Sequence, residues 1–301
     1  MTTTAVAPSL PIIAEATLRP RRTTLAAVVA FGRRNPLVLV GAVVVMVWLI
    51  ASIGAPLFAP YGPLTQRVVE RLRPPSLAHL FGTDALGRDI LSRVIFGGRI
   101  SLPVGFLVVV VALCVGGSVG AVAGFGPGWL DGVLMRLTEM VMAFPIIILA
   151  MTNAAALGPG LDHAVVALVA VSWPRYARVT RGLVMSVKEN EYVMASRAMG
   201  GTEPHVLIRA VLPNCVAPAV VMATLDLGNA ILTFSGLSFL GLGSPPPAPE
   251  WGAMVAQGTQ NFDQWWVSTF PGAAILTLVM AFNFIGDGVR DALDPRLRRN
   301  L

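Results

Sequence analysis

LPVGFLVVVVALCVGGSVGAVAGF, residues 102–125, runs for 24 residues without a charged side chain. A helix needs about 20 apolar residues to cross ~30 Å of hydrocarbon, so this stretch reads as a membrane span. Gly116, Gly120 and Gly124 recur within it at four-residue spacing, which predicts that another helix approaches closely along that stripe.

The remainder of the chain agrees. Of its 301 residues, 55% are hydrophobic and 13% charged, and the mean hydropathy is +0.72. A soluble globular chain carries about 45–50% apolar and about 25% charged residues. The same balance excludes a disordered, fibrous or disulfide-stapled protein. Cys114 and Cys215 show neither a CxxC pair nor metal-ligand spacing and read as small residues of a membrane core. Five more runs reach spanning length, at about 37–58, 133–157, 163–182, 216–242 and 270–288. The expected fold is therefore all-α, a polytopic membrane protein of six transmembrane helices. Residues 1–36 form a tail in which Leu25–Phe31 lies along the membrane surface, 37–290 form the membrane domain, and 291–301 form a second tail.

The net charge of +6 is almost wholly arginine, since Lys188 is the single lysine. The arginines cluster at the ends of apolar runs rather than in a stripe with aromatics, which argues against nucleic acid. With the N-terminus inside, 16 of the 22 basic residues fall on inner segments, so both termini are expected in the cytoplasm. The exception is residues 59–100, which lie outside yet hold Arg67, Arg71, Arg73, Arg88, Arg93 and Arg99. A cleaved signal peptide is the competing reading of the N-terminus, but the first apolar run is long enough to span.

The inner loop at 183–214 reads as a helix–turn–helix knob. Good helix formers fill Glu189 to Met199, and Gly200-Gly201 stop the helix because glycine takes left-handed backbone at little cost. Thr202 is placed to cap a second helix with Pro204 in its first turn, and that helix is expected to end near Pro213. Val193, Met194, Met199 and Val206 are its apolar points, suited to a partner's groove.

At these residues the chain resembles the permease subunits of binding-protein-dependent ABC importers. Met194-Ala195-Ser196, Gly200 and Ala210-Val211-Leu212-Pro213 align with that family's Glu-Ala-Ala…Gly…Ile-x-Leu-Pro signature. Met194, Ser196 and Ala210 depart from it. FGTDALGRDILSRVIFGGRISL (81–102), LSFLGLGSPPPAPEWGAM (237–254) and FNFIGDGVRDALDPRLR (282–298) are similar to segments of the dipeptide/oligopeptide/nickel branch.

The resemblance implies the type I importer permease fold with a cytoplasmic coupling helix in a bacterial cytoplasmic membrane. It implies a homologous permease as heterodimer partner, two ATP-binding subunits carrying ATP and Mg, and an external solute-binding lipoprotein, all amid membrane lipids. Val193, Met194, Ala195, Ser196, Met199, Gly200, Gly201, Leu212 and Pro213 then become the ATPase-coupling residues. The implied cargo is a di- or oligopeptide. Nickel or glutathione in the same architecture is the alternative, and an ion-gradient-driven secondary transporter is a more distant one. A membrane scaffold with no transport pathway is a further rival.

A phosphate loop needs GxxxxGK followed by Ser or Thr, and Lys188 is followed by Glu189. The chain therefore reads as a non-catalytic subunit that binds no cofactor or metal itself. Four further features remain. Arg136 and Glu139 sit three apart and are expected to form a structural ion pair. Asp226 and Asn229 in the fifth span and Asn283 in the sixth are candidates for lining the pathway, because a charge in lipid costs about 2.5–3.5 kcal/mol. Pro145 and Pro174 are expected to kink their spans. Arg88, Arg93 and Arg99 are candidates for docking the external protein, with lipid headgroups as the equal alternative.

Overall fold

A computed structural model of the protein describes residues 35–293, so the surface helix expected at 25–31 and the tail beyond 293 lie outside the described residues. The described chain is helical, and among these residues the one β contact is an isolated bridge between Thr83 and Asp89. In chain order the helices are α1 (Pro36–Ile53), α2 (Ala55–Phe58), α3 (Ile90–Phe125), α4 (Gly128–Met142), α5 (Ile146–Leu157) and α6 (Leu161–Lys188). They continue with α7 (Glu191–Ala198), α8 (Glu203–Val206), α9 (Leu212–Phe239), α10 (Trp251–Gly258) and α11 (Trp266–Leu293).

Helix α3 begins twelve residues before the apolar run that the sequence marks. The Asp89 carboxylate accepts a 2.8 Å hydrogen bond from the Ser92 amide and so caps the helix at Ile90. At 1.5 Å per residue the 36-residue helix is about 54 Å long, well beyond the hydrocarbon thickness. Its first turns therefore stand clear of the apolar layer. The glycine stripe faces α6: a Cβ on Gly116 or Gly120 would run into the backbone carbonyls of Trp173 or Ala177. Backbone meets backbone there, which is why glycine recurs every four residues.

The run at 133–157 is not one straight helix. Helices α4 and α5 meet at 87° across Ala143–Pro145. Pro145 has no amide proton to continue α4, and its fixed φ starts α5 instead. Length and apolarity together identify four spanning helices: α1, α3, the continuous stretch Glu203–Phe239, and α11. The bent pair raises the number to five. Helix α6 has the length, 28 residues, but Arg175, Arg178, Arg181 and Lys188 remove its apolarity. Pro174 lies inside α6 without ending it.

Helix α1 shows how these elements meet their solvent. Leu37, Val43, Met46 and Ile50 all stand more than half exposed, on a helix of mean hydropathy 2.6. An apolar surface with no protein over it belongs in hydrocarbon or against another subunit.

Residues 59–89 fold into a cap over the start of α3, α10 and the start of α11. His79 Nδ1 lies 2.9 Å from Asp89, and the Arg88 guanidinium donates to Asp84 at 2.6 Å. Phe81 stacks on Phe270 with ring centroids 3.9 Å apart. Arg88 and Arg93 are buried in this cap, 4% and 1% exposed, so neither can dock an external protein. Both guanidinium groups turn inward to Asp84 instead, with Arg93 Nε 3.7 Å away. Only Arg99 of the three candidates stands on the surface.

Candidate functional site

The knob forms at the end of the bundle opposite the cap. Helix α6 carries through to Lys188, whose ammonium donates to the Gly124 carbonyl at the end of α3 at 2.9 Å. After α7 the chain reverses: the Gly200 amide bonds the Arg197 carbonyl at 2.9 Å, and the Gly201 amide bonds that of Ser196 at 3.1 Å. This pair of bonds is a Schellman stop, and Gly200 holds φ at +87°, backbone that side chains other than glycine avoid. The Thr202 carbonyl then accepts from the Val206 amide at 2.9 Å and α8 begins, with no cap from the threonine side chain. Arg197 ties the two short helices together, 3.2 Å from Glu203, and lies over the Phe125 ring at 5.2 Å.

Two expectations about this loop change. The second helix does not stop at Pro213. A π-helical turn over Leu207–Val211, closed by the Leu212 amide on the Leu207 carbonyl, widens the helix ahead of the proline. The widened turn spares the carbonyl that a proline ring would strike in a regular helix, and the helix runs on into α9. Second, Val193 and Val206 do not point at a partner. Both are fully buried with Val184, Val211 and Cys215, because they are the seat that holds the knob against the bundle. Of the remaining coupling candidates, Met194, Ala195, Met199, Gly200 and Pro213 are exposed, whereas Ser196, Gly201 and Leu212 are half-buried. Tyr192 also stands out beside Met194. A single tyrosine in a helical stretch carries no signal of its own in sequence.

A second site lies at mid-bundle. Arg175 and Asp226 are each the fifteenth of 28 residues, in α6 and α9. The Arg175 guanidinium donates to the Asp226 carboxylate at 2.7 Å. Asp226 is buried, whereas the arginine side chain is 58% exposed. A cavity of about 70 Å³ opens beside them, with Ser172, Tyr176, Asn229 and Thr233 contributing its other polar groups. The Tyr176 hydroxyl is buried and sits next to the Asp226 carboxylate. Asp226 and Asn229 thus share one cavity, as their spacing suggested, but Asn283 on α11 is exposed elsewhere and does not line it. Sequence reasoning missed Arg175 and Tyr176, which are 51 and 50 residues from Asp226 and carry no local motif.

The ion pair expected between Arg136 and Glu139 does not form. Both side chains are exposed on α4 and neither reaches the other. The helix is anchored instead by Asp131, which receives two hydrogen bonds from Arg181 of α6.

The profile for the binding-protein-dependent transport system inner membrane component matches residues 116–299. That for the N-terminal transmembrane domain of oligopeptide transport permease C matches residues 33–75. The dipeptide transport system permease protein of Escherichia coli (strain K12) is 45% identical over 274 residues, covering 89% of this chain and 91% of that protein. The di/tripeptide transport system permease protein of Pseudomonas aeruginosa (strain UCBPP-PA14) is 44% identical over 265 residues, covering 86% and 88%. The dipeptide permease of Alkalihalophilus pseudofirmus is 40% identical over 267 residues, covering 88% of each chain. Among solved structures, a chain of the MetNI methionine ABC transporter in an inward-facing conformation aligns with TM-score 0.57 and 21% identity. It covers 68% of this chain and 98% of that one, a likeness of fold.

Proposed function

The chain belongs to the family of binding-protein-dependent transport system inner membrane components, and from that premise we propose that it is a peptide permease subunit of an ATP-driven importer. It is a multi-pass protein of a bacterial membrane, and it forms half of a translocation pathway whose other half is a homologous permease. Two ATPases, carrying ATP and Mg, grip the knob from the cytoplasm, and an external solute-binding protein delivers short peptides to the capped face. Both termini then lie in the cytoplasm.

The observation that carries this reading is the construction of the knob. Its outward points, Tyr192, Met194 and Met199, are apolar and uncovered, with Met199 83% exposed. Its inward residues, Val193 and Val206, are locked to α6 and α9. Such a part transmits force: whatever holds the methionines moves two long helices with them. ATP-driven closure of the motors biases the spans between two states through that difference in contact energy.

The test is reconstitution of the two permeases and two ATPases in proteoliposomes with the solute-binding protein supplied, with a cysteine in place of Met199 and one in the ATPase groove. ATP-dependent uptake of a labelled dipeptide is expected, together with a disulfide between Met199→Cys and the ATPase. Uptake without any cross-link to either motor removes the knob from the coupling path.

A further inference from the structure

We propose that Arg175, Asp226 and Tyr176 form a transit site for the charged ends of a peptide, in which the cargo's termini exchange with the resident ion pair. The proposal rests on the peptide-permease reading above and adds the residues that would meet the cargo.

Three observations converge. The first is position: Asp226 lies buried within the spanning stretch Glu203–Phe239, paired with an Arg175 side chain that stands largely exposed beside it. An arginine 58% exposed there cannot face hydrocarbon without a large cost, so its open side faces protein or water. The second is the cavity, about 70 Å³, which holds a terminal ammonium group though not a whole dipeptide. The third is the Tyr176 hydroxyl, 2% exposed as a residue, lining that cavity beside the Asp226 carboxylate. A buried polar group needs hydrogen-bond partners, and here the carboxylate and the polar cavity are what face it.

The chemistry follows from charge. A peptide crosses as a zwitterion, and neither of its charges tolerates a low-dielectric interior alone. When the Arg175–Asp226 bond opens, the α-ammonium takes the place of Arg175 on Asp226 and receives the Tyr176 hydroxyl region as its second neighbour. The freed guanidinium, on its exposed arm, takes the terminal carboxylate, for which its planar fork is suited. No charge is left unpaired at any stage. When the cargo leaves, the 2.7 Å pair re-forms and expels it, so the contact is strong enough to admit and weak enough to release.

The experiment uses the full reconstituted complex with saturating peptide-loaded binding protein and reads ATP-dependent dipeptide uptake. Asp226→Asn is expected to slow uptake by at least about tenfold, and Tyr176→Phe by about three- to tenfold. The decisive variant is the double replacement Arg175→Met, Asp226→Leu, which removes both charges and leaves none unpaired. If the pair contacts cargo, the double variant stays as slow as Asp226→Asn. Wild-type uptake by the double variant, or by Tyr176→Phe should the double variant not assemble, shows a helix-fastening role only and overturns the site. A wild-type complex that assembles and hydrolyses ATP yet carries no peptide overturns the functional reading itself, and the site with it.

Discussion

The carboxylate of Asp131 receives hydrogen bonds of 2.5 and 2.6 Å from the guanidinium of Arg181, fifty residues further along the chain. This forked contact joins α4 to α6 at the knob end of the bundle, and its planar geometry holds α4 in orientation as well as in place.

Asp131→Asn is expected to lower stability by about 1–3 kcal/mol, because it breaks charge-assisted bonds and leaves Arg181 without its partner. Glu139→Gln, on an exposed side chain with no ion pair, is expected to stay within about 0.5 kcal/mol of the parent. Thermal unfolding of the purified protein in detergent distinguishes them. Equal shifts for the two variants would return the structural role to Glu139.

Trp251 is fully buried, and its indole donates to the Val94 carbonyl at 2.8 Å, fastening α10 to the first turns of α3. Trp251→Phe keeps most of the apolar volume and loses the bond, a cost of about 1–2 kcal/mol. Trp251→Ala also opens a cavity and should cost about 3–5 kcal/mol. A phenylalanine variant as unstable as the alanine variant would mean that the bond, lost in both, and not the apolar volume holds the cap.

At Gly200 a Cβ would meet no atom within 4 Å, so any effect of substitution comes from the backbone at φ +87°. Gly200→Val is expected to destabilise the knob by about 1–2 kcal/mol and Gly200→Asn by less, since asparagine tolerates left-handed backbone. The global melting temperature should barely move, whereas cargo-stimulated ATPase activity falls in the order Gly, Asn, Val. Undiminished stimulation in Gly200→Val would show that knob shape does not matter to coupling.

Glu70 of the cap and Glu250 at the start of α10 respond to pH with opposite sign. Burial holds the Glu250 carboxyl above its ordinary 4.5, against the pull of the Gly252 and Ala253 amides that it caps. The folded protein therefore keeps its proton more tightly than the unfolded chain. The resulting stability is full below 4.5 and is lost as pH rises through the higher folded value. Glu70 is the reverse. Its hydrogen bond with His79, aided by Arg67 and Arg73, holds it below 4.5, so its contribution is present above that value and fades as pH falls through the folded one. Melting curves against pH should show Glu250→Gln gaining on the parent as pH rises and Glu70→Gln gaining as pH falls. Curves parallel to the parent in either series would refute that assignment.

Much of this was legible in the sequence because it is a matter of local composition. Spanning lengths follow from apolar runs, the glycine stripe of α3 from its four-residue spacing, and the stop at Gly200 from the one residue that adopts left-handed backbone freely. Other features depend on which way a side chain turns, and composition does not record that. Val193 looked like a contact point and proved to be a seat. Arg88 and Arg93 looked like a docking surface and proved to be buried against Asp84.

What the sequence by itself determined was that the protein is built of long apolar segments, where the knob lies between them, and that no phosphate loop is present. These are local quantities, set by hydropathy over one helix and by the conformational limits of glycine and proline. Only the tertiary structure decided how far the kink expected at Pro145 opens, 87°, the π turn that carries α9 through Pro213, and the meeting of Arg175 with Asp226. Each of those depends on what stands opposite in space: a neighbouring helix, a displaced carbonyl, a charge some fifty residues away. Pairing across the bundle is chosen by the burial of unlike charges together, and no window along the chain is wide enough to contain both partners.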